Sequence, residues 1–263
     1  MCPAITQTAF ITGASSGIGR SLAELLHKQG WNVVIVARRK EILNEMASNF
    51  NKTREGSARF KVADLTSNED VFSLENEIKK SQCDLLINNA GVGSFGYLEQ
   101  LPLEREVSLI TLNCIAPLRL THAVLTQMKS RRSGSIINIS SLAGIQAVPY
   151  MSTYSGTKAF DFSFSMALRH EVKKFGIKVL TVCPGPVDTE FGGVARMPGE
   201  ATGISRDTSL IVADHILKSL KRNQALSVPG WSAKPLYFLI KVLPTRLKFS
   251  LIEVLLRRVI SRL

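Results

Sequence analysis

Ala9-Phe10-Ile11-Thr12-Gly13-Ala14-Ser15-Ser16-Gly17-Ile18-Gly19, followed by the run Asn32-Val33-Val34-Ile35-Val36-Ala37, decides the fold. Ala9 to Thr12 reads as a short apolar strand. A helical pattern then runs from about Arg20 to Gln29, with apolar Leu22, Leu25 and Leu26, and Gly30 as its stop. Asn32 to Ala37 is a continuous β-branched run, as expected of a parallel strand buried on both faces. Strand, Gly-rich turn, helix and strand together form the unit that seats a phosphate on a helix N-terminus. The glycines, spaced Gly-x-x-x-Gly-x-Gly, let the backbone approach a pyrophosphate while the first-turn amides donate to it.

The end of the second strand bears on which dinucleotide fits. A carboxylate there would accept from a ribose 2′-hydroxyl, but the chain reads Ala37-Arg38-Arg39-Lys40. A guanidinium grips a 2′-phosphate bidentately, so NADP(H) is the expected cofactor, with Arg38 the first choice and Arg39 the reserve. Three positive charges also suit a helix N-terminus poorly, which itself suggests an anionic ligand.

Outward from this unit the alternation continues. Strands are expected at Arg59–Val62, Asp84–Ile87, Ser135–Ser140, Lys178–Cys183 and Ala225–Val228, and helices at Asn68–Lys80, Leu103–Lys129, Tyr154–Phe175 and Arg206–Lys221. This pattern predicts a doubly wound α/β sheet of seven parallel strands with helices on both faces. Asp64 ends the third strand, where it is expected to accept from an adenine amino group. Asn88-Asn89-Ala90-Gly91 places small residues at a strand edge where a flat ring can lie, with paired amides to brace neighbouring strands. Pro117 frees the carbonyl of Asn113 and predicts a kink there. Residues 190–205, rich in Gly, Ala, Met and Pro, read as a mobile lid over a substrate.

Ser141 lies thirteen residues before Tyr154, and Lys158 follows Tyr154 by four, so phenol and ammonium share one helix face. A cation there is expected to lower the phenol pKa from its ordinary value of about 10.

Composition sets limits. The chain has 263 residues, enough for one large α/β domain, expected over 1–230, with 231–263 as a tail. Its four cysteines lack metal-ligand or disulfide spacing, so no metal site is expected and the thiols read as reduced and cytoplasmic. The N-terminus lacks a basic and apolar leader pattern, and no uncharged apolar stretch reaches about 20 residues.

The chain is similar to the short-chain dehydrogenase/reductase family over roughly residues 5–230. Four motifs carry the resemblance: Thr12-Gly-x-x-x-Gly-x-Gly19, Asn88-Asn-Ala-Gly91, Ser141 with Tyr154-x-x-x-Lys158, and Pro184-Gly185. The resemblance implies a Rossmann-type fold and a catalytic tetrad of Asn113, Ser141, Tyr154 and Lys158. It implies cofactor contacts from Gly13, Ser15, Ser16, Gly17, Ile18, Gly19, Arg38, Asp64, Leu65, Asn89, Ala90, Gly91, Pro184, Gly185, Val187 and Thr189, together with Tyr154 and Lys158. Tyr154 would protonate a ketone or aldehyde oxygen during hydride transfer, Ser141 would donate to that oxygen, and Asn113 would hold a relay water. Ser140 stands one residue out of spacing. Ser16 occupies a position where many NADP-preferring members carry a basic residue. Homodimers or homotetramers are the implied assemblies. The alternative function is a non-catalytic NADP(H)-binding sensor or scaffold.

The tail after Gly230 has seven basic residues and one acid, net +6, half of the chain's +12. Pro235 and Thr245 mark two helix starts. Ile252, Leu256, Val259 and Leu263 recur at helical spacing, broadened by Leu251, Val254 and Leu255. Two readings stay open: a peripheral membrane surface, or a helix docked on the core or a subunit. Nucleic acid is not expected, because no recognition motif accompanies the charge. The tail also resembles those of membrane-associated members that act on long-chain 3-oxoacyl groups, which implies a lipid-like small-molecule substrate.

Overall fold

A computed structural model describes residues 7–195, 207–231 and 233–260. The chain runs β1 (Thr8–Thr12), α1 (Gly17–Lys28), β2 (Asn32–Ala37), α2 (Lys40–Thr53), β3 (Ala58–Val62), α3 (Asn68–Lys80) and β4 (Leu85–Asn88). It continues with α4 (Leu103–Ile110), α5 (Ala116–Ser130), β5 (Gly134–Ile139), α6 (Ser152–Val172) and β6 (Ile177–Val182). Then come β7 (Val187–Asp188), α7 (Phe191–Val194), β8 (Asp207–Thr208), α8 (Ser209–Lys221), β9 (Leu226–Ser227), α9 (Ala233–Val242) and α10 (Thr245–Ile260).

Seven parallel strands form one sheet in the order β3-β2-β1-β4-β5-β6-β9. Successive strand residues face opposite sides, so each strand supplies both halves of the core. Ile11, Ile35, Ile87, Ile137 and Leu180 meet Leu22 of α1, Leu43 of α2 and Ile216 of α8. Phe10, Val34, Leu86, Ile136 and Val179 meet Leu74 of α3, Val124 of α5 and Leu168 of α6. The strand order reverses between β1 and β4, which opens a crevice at their C-terminal ends.

Three features depart from expectation. A π-helical segment, Thr111–Ile115, separates α4 from α5 where a proline kink is expected, and the Ala116 amide reaches back to the carbonyl of Thr111. Pro117 has no amide to offer the preceding turn, and the wider turn absorbs the mismatch. The small parallel pair β7 and β8 has no sequence signal. Of the lid expected over 190–205, Phe191–Val194 is a short helix, and the part from residue 196 lies outside the described residues, as do Arg206, Leu263 and Cys2.

The C-terminal helices are present as expected. In α9, Ala233 and Ile240 are buried against Leu142 and Cys183. The α4–α5 stretch Leu103–Ser130 is long and apolar enough to cross a membrane by length and composition; half of its most apolar window is buried inside the fold.

Candidate active site

Thr12 ends β1, and its hydroxyl accepts from the amides of Asn89 and Ala90 at 2.9 and 3.0 Å while donating to Ile87 O. The Asn89 side-chain amide donates to the carbonyl of Thr12 at 2.9 Å and of Gly13 at 3.3 Å. That amide fills the space a side chain would need: a Cβ on Gly13 would lie 2.8 Å from Asn89 Nδ2, and one on Gly19 only 2.4 Å. Gly13 and Gly17 have φ of +65° and +53°, which disfavours any side chain there. Thr189 lies over the same turn, its Cγ2 2.9 Å from where a Cβ on Gly17 would be.

The N-terminus of α1 carries no side-chain cap from Ser16 and no acid in its first turn. Its leading amides therefore face the crevice without a protein acceptor on Ser16, the arrangement that suits a pyrophosphate. The residues fit a dinucleotide. When bound there, a nicotinamide dinucleotide supplies or accepts a hydride.

The basic residues after β2 divide their tasks. Arg38 is exposed, 4.0 Å from Asp64. Arg39 instead donates to Ser15 Oγ at 3.0 and 3.1 Å and pairs with Glu190 at 2.9 Å. Arg39, the reserve in the sequence reading, is thus the one that touches the glycine-rich turn. Asp64 spends one oxygen on Thr66, at 2.9 Å to its amide and 2.8 Å to its hydroxyl. Burial alone would raise the Asp64 pKa, but the two Thr66 hydrogen bonds and Arg38 bring it below the ordinary value. The Leu65 side chain belongs to the core rather than the crevice, and the space beside Gly185 is filled by Ala233.

At the other end of the crevice, Asn88 on β4 donates to Asn138 on β5 at 2.7 Å, and Asn138 donates to Ser165 on α6 at 2.7 Å. This bridge is the brace expected of the paired asparagines, and it fixes α6 against the sheet. Ser141 caps a 3₁₀ turn (Leu142–Gly144) and accepts from the Ala143 amide at 3.1 Å, and its hydroxyl lies near enough to the Tyr154 phenol to favour the ionised form. Ser140 faces the other way and donates to the carbonyl of Lys158 at 2.7 Å. Lys158 is buried, with Nζ 2.8 Å from Ile139 O and 2.9 Å from Asp161 Oδ2. A Cβ on Gly91 would sit 3.2 Å from Asn113 Oδ1 and 3.5 Å from Lys158 Nζ, so this glycine lets the two approach.

The structure brings the four tetrad residues together. The Asn113 side chain clamps Val92 through both its amide and carbonyl and donates to Thr157. One correction concerns the phenol. Burial pushes the Tyr154 pKa above its ordinary value; Lys158 and Ser141 pull it down without prevailing, while Asp161 and Cys183 add to the rise. For Lys158, burial favours the neutral amine, but Asp161 and then Tyr154 hold its pKa above the ordinary lysine value.

Sequence reading missed two contributors. Asp161 follows Lys158 by three residues on α6, a helical spacing that could have revealed it. The other is α10: Leu256 and Ile252 pack with Phe95, Met151 and Phe191 around Tyr154. The docking alternative for the tail therefore holds for this face of α10. A separate cavity of about 510 Å³, lined by Ile145, Val148, Ser155, Gly156 and Phe249, lies between α10 and the loop before α6.

Fold and crevice define a dinucleotide-binding α/β protein. Residues 7–197 match the family described as short chain dehydrogenase, and the chain belongs to that family of oxidoreductases, whose members act on carbonyl or alcohol groups with NAD or NADP. A 3-ketodihydrosphingosine reductase of Bacteroides thetaiotaomicron is 38% identical over 82% of this chain and 75% of that one. A very-long-chain 3-oxoacyl-CoA reductase of Bos taurus is 32% identical over 90% and 79%. A short-chain dehydrogenase from Sphingobium yanoikuyae, solved in complex with NADPH, superposes with a TM-score of 0.82 at 31% identity, covering 89% of this chain and 92% of that one.

Proposed function

We propose that this chain is an NADP(H)-dependent reductase of apolar, lipid-like ketones or aldehydes, with Tyr154 as the general acid. The observation that carries the reading is the phenol itself: beside Lys158 and the Ser141 hydroxyl, and walled by Phe95, Met151, Phe191 and Leu256. A carbonyl seated there receives a proton from Tyr154, while the Ser141 hydroxyl donates to the same oxygen and stabilises developing negative charge. Lys158 uses two N–H groups on Ile139 and Asp161, and its third is available for ribose hydroxyls. Asn113 holds the loop after β4 against α6. The apolar wall favours a substrate with a hydrocarbon arm, and the two named reductases act on ketones borne by long chains.

Arg38 and Arg39, with no carboxylate at the end of β2, support NADP(H) over NAD(H). Leu103, Val107, Ile110, Ile115 and Leu118 form an exposed apolar stripe along α4 and α5, which we assign to contact with a second copy of the chain. Sedimentation velocity of a Val107→Glu variant checks it; an unchanged mass for that variant removes the assignment. The body, 1–230, carries the cofactor and the chemistry. The tail, 231–263, adds the wall of the substrate site and, on its outer face, a surface for the cytoplasmic side of a membrane.

The test is oxidation of NADPH and NADH by purified protein with short and long-chain 3-oxo compounds. NADPH oxidation favoured at least about tenfold, near 1.4 kcal/mol, is expected. Equal rates with NADH remove the cofactor preference. Tight NADPH binding without turnover of any carbonyl transfers the chain to the sensor reading.

A further inference from the structure

Asp161 is a buried acid inside the tetrad, and no step in the reaction described so far employs it. It lies three residues after Lys158 and seven after Tyr154 on α6, so the three side chains follow one helix face. Asp161 is 4% exposed and Lys158 5%, and their charged atoms are 2.9 Å apart. The other groups that titrate nearby are thiols: Cys114 from the π-helical segment faces the pair, and Cys183 after β6 faces the phenol. From β5 and its exit come only the Ile139 carbonyl and the hydroxyls of Ser140 and Ser141, and α10 brings apolar Ile252 and Leu256.

An ammonium alone beside a phenol favours the phenolate. An ammonium already neutralised by a carboxylate presents a pair of zero net charge, and its field falls off far faster. Ionising Tyr154 would then place a second anion in a site with little water to solvate it.

We propose that Asp161 is a positioning residue that fixes Lys158 against Ile139 and, by balancing its charge, keeps Tyr154 protonated into the alkaline range. This rests on the function proposed above. Reduction consumes the phenol's proton; oxidation of the alcohol needs phenolate to receive one. The equilibrium between carbonyl and alcohol is set by the reactants, and Asp161 sets the pH at which each direction is fast. The Tyr154 pKa is raised above its ordinary value by burial first, and Asp161 adds to the rise.

The test compares wild type, Asp161→Asn and Asp161→Glu in NADPH-dependent reduction and NADP⁺-dependent alcohol oxidation across neutral and alkaline pH. In Asp161→Asn the rise of the oxidation rate is expected to move to lower pH by at least about one unit. Asp161→Glu is expected to return it toward wild type. Coincident profiles for wild type and Asp161→Asn overturn the proposal, as does a move to higher pH.

A second measurement requires neither turnover nor a folded Asp161 variant. Tyrosinate absorbance is titrated in the full wild-type chain and in Tyr154→Phe, and their difference isolates this phenol. Ionisation above the ordinary tyrosine value of about 10 is expected, and ionisation at or below it refutes the role of Asp161. If no carbonyl is reduced by wild type, the enzymatic reading fails on its own, and this titration still overturns the role of Asp161 if the phenol ionises at or below its ordinary value.

Discussion

Tyr154 is held by its ring as much as by its hydroxyl. The ring lies 5.4 Å, centroid to centroid, from Phe191 and is 7% exposed, so Tyr154→Phe removes one oxygen while leaving the apolar contacts in place. Loss of the proposed general acid is expected to lower turnover by at least ~10²-fold with NADPH affinity near wild type, as measured by steady-state kinetics and by quenching or transfer fluorescence of the bound dinucleotide. Turnover close to wild type would remove Tyr154 from the reaction. The buried thiols are unsuited to replace it: burial first, against a nearby cation, pushes Cys183 up to about 12 and Cys114 up to about 11. Neither supplies thiolate near neutral pH.

At the scale of elements, what the sequence reveals depends on whether a feature is local. The β2 strand is legible because six consecutive residues share one preference, and the α1 turn because Gly13, Gly17 and Gly19 leave few other conformations. Tyr154, Ser141 and Lys158 are legible through their intervals. The π-helical segment is not, because Pro117 announces a defect without saying which backbone geometry resolves it. Nor is the docking of α10. Its spacing fixes which side of the helix is apolar, whereas the partner of that side, here Phe95, Met151 and Tyr154, is some hundred residues or more distant in sequence. This contact yields a prediction of its own. Leu256→Asp places a charge at a 6% exposed position and is expected to loosen α10 from the site. KM for a long-chain ketone should rise about tenfold, equivalent to about 1.4 kcal/mol, while a short, water-soluble ketone is turned over nearly as before. Equal losses for both substrates would mean that α10 supports the fold and does not line the site.

Across the whole molecule, exposed apolar surface is concentrated in two places of different charge. Along α4 and α5 it is a plain apolar stripe, matching a second copy of itself. Just before α9 and along α9 and α10 it is mixed: Trp231, Phe238, Val242, Leu247 and Val254 are exposed beside Lys234, Lys241, Arg246 and Arg257. Lys234 rests over the Trp231 ring at 5.4 Å and Lys241 over Tyr237 at 4.7 Å, so cations and aromatic faces are presented together. That combination suits an anionic bilayer surface, where rings enter the headgroup boundary and each nearby Lys or Arg contributes about 1 kcal/mol. The inner face of α10 meanwhile packs around Tyr154, so on the proposed function such a surface would lie beside the entry for an apolar substrate. Full-length protein is therefore expected to float with vesicles containing anionic lipid, to float far less with zwitterionic vesicles, and to release as salt rises. Replacing Phe238 and Val242 by Ser should weaken flotation in both vesicle types; replacing Lys234, Lys241 and Arg246 by Ser should abolish only the preference for anionic lipid. Absence of flotation by the full chain with anionic vesicles at low salt would leave the outer face of the tail without a membrane role, because those are the conditions in which both the apolar and the electrostatic contributions are largest.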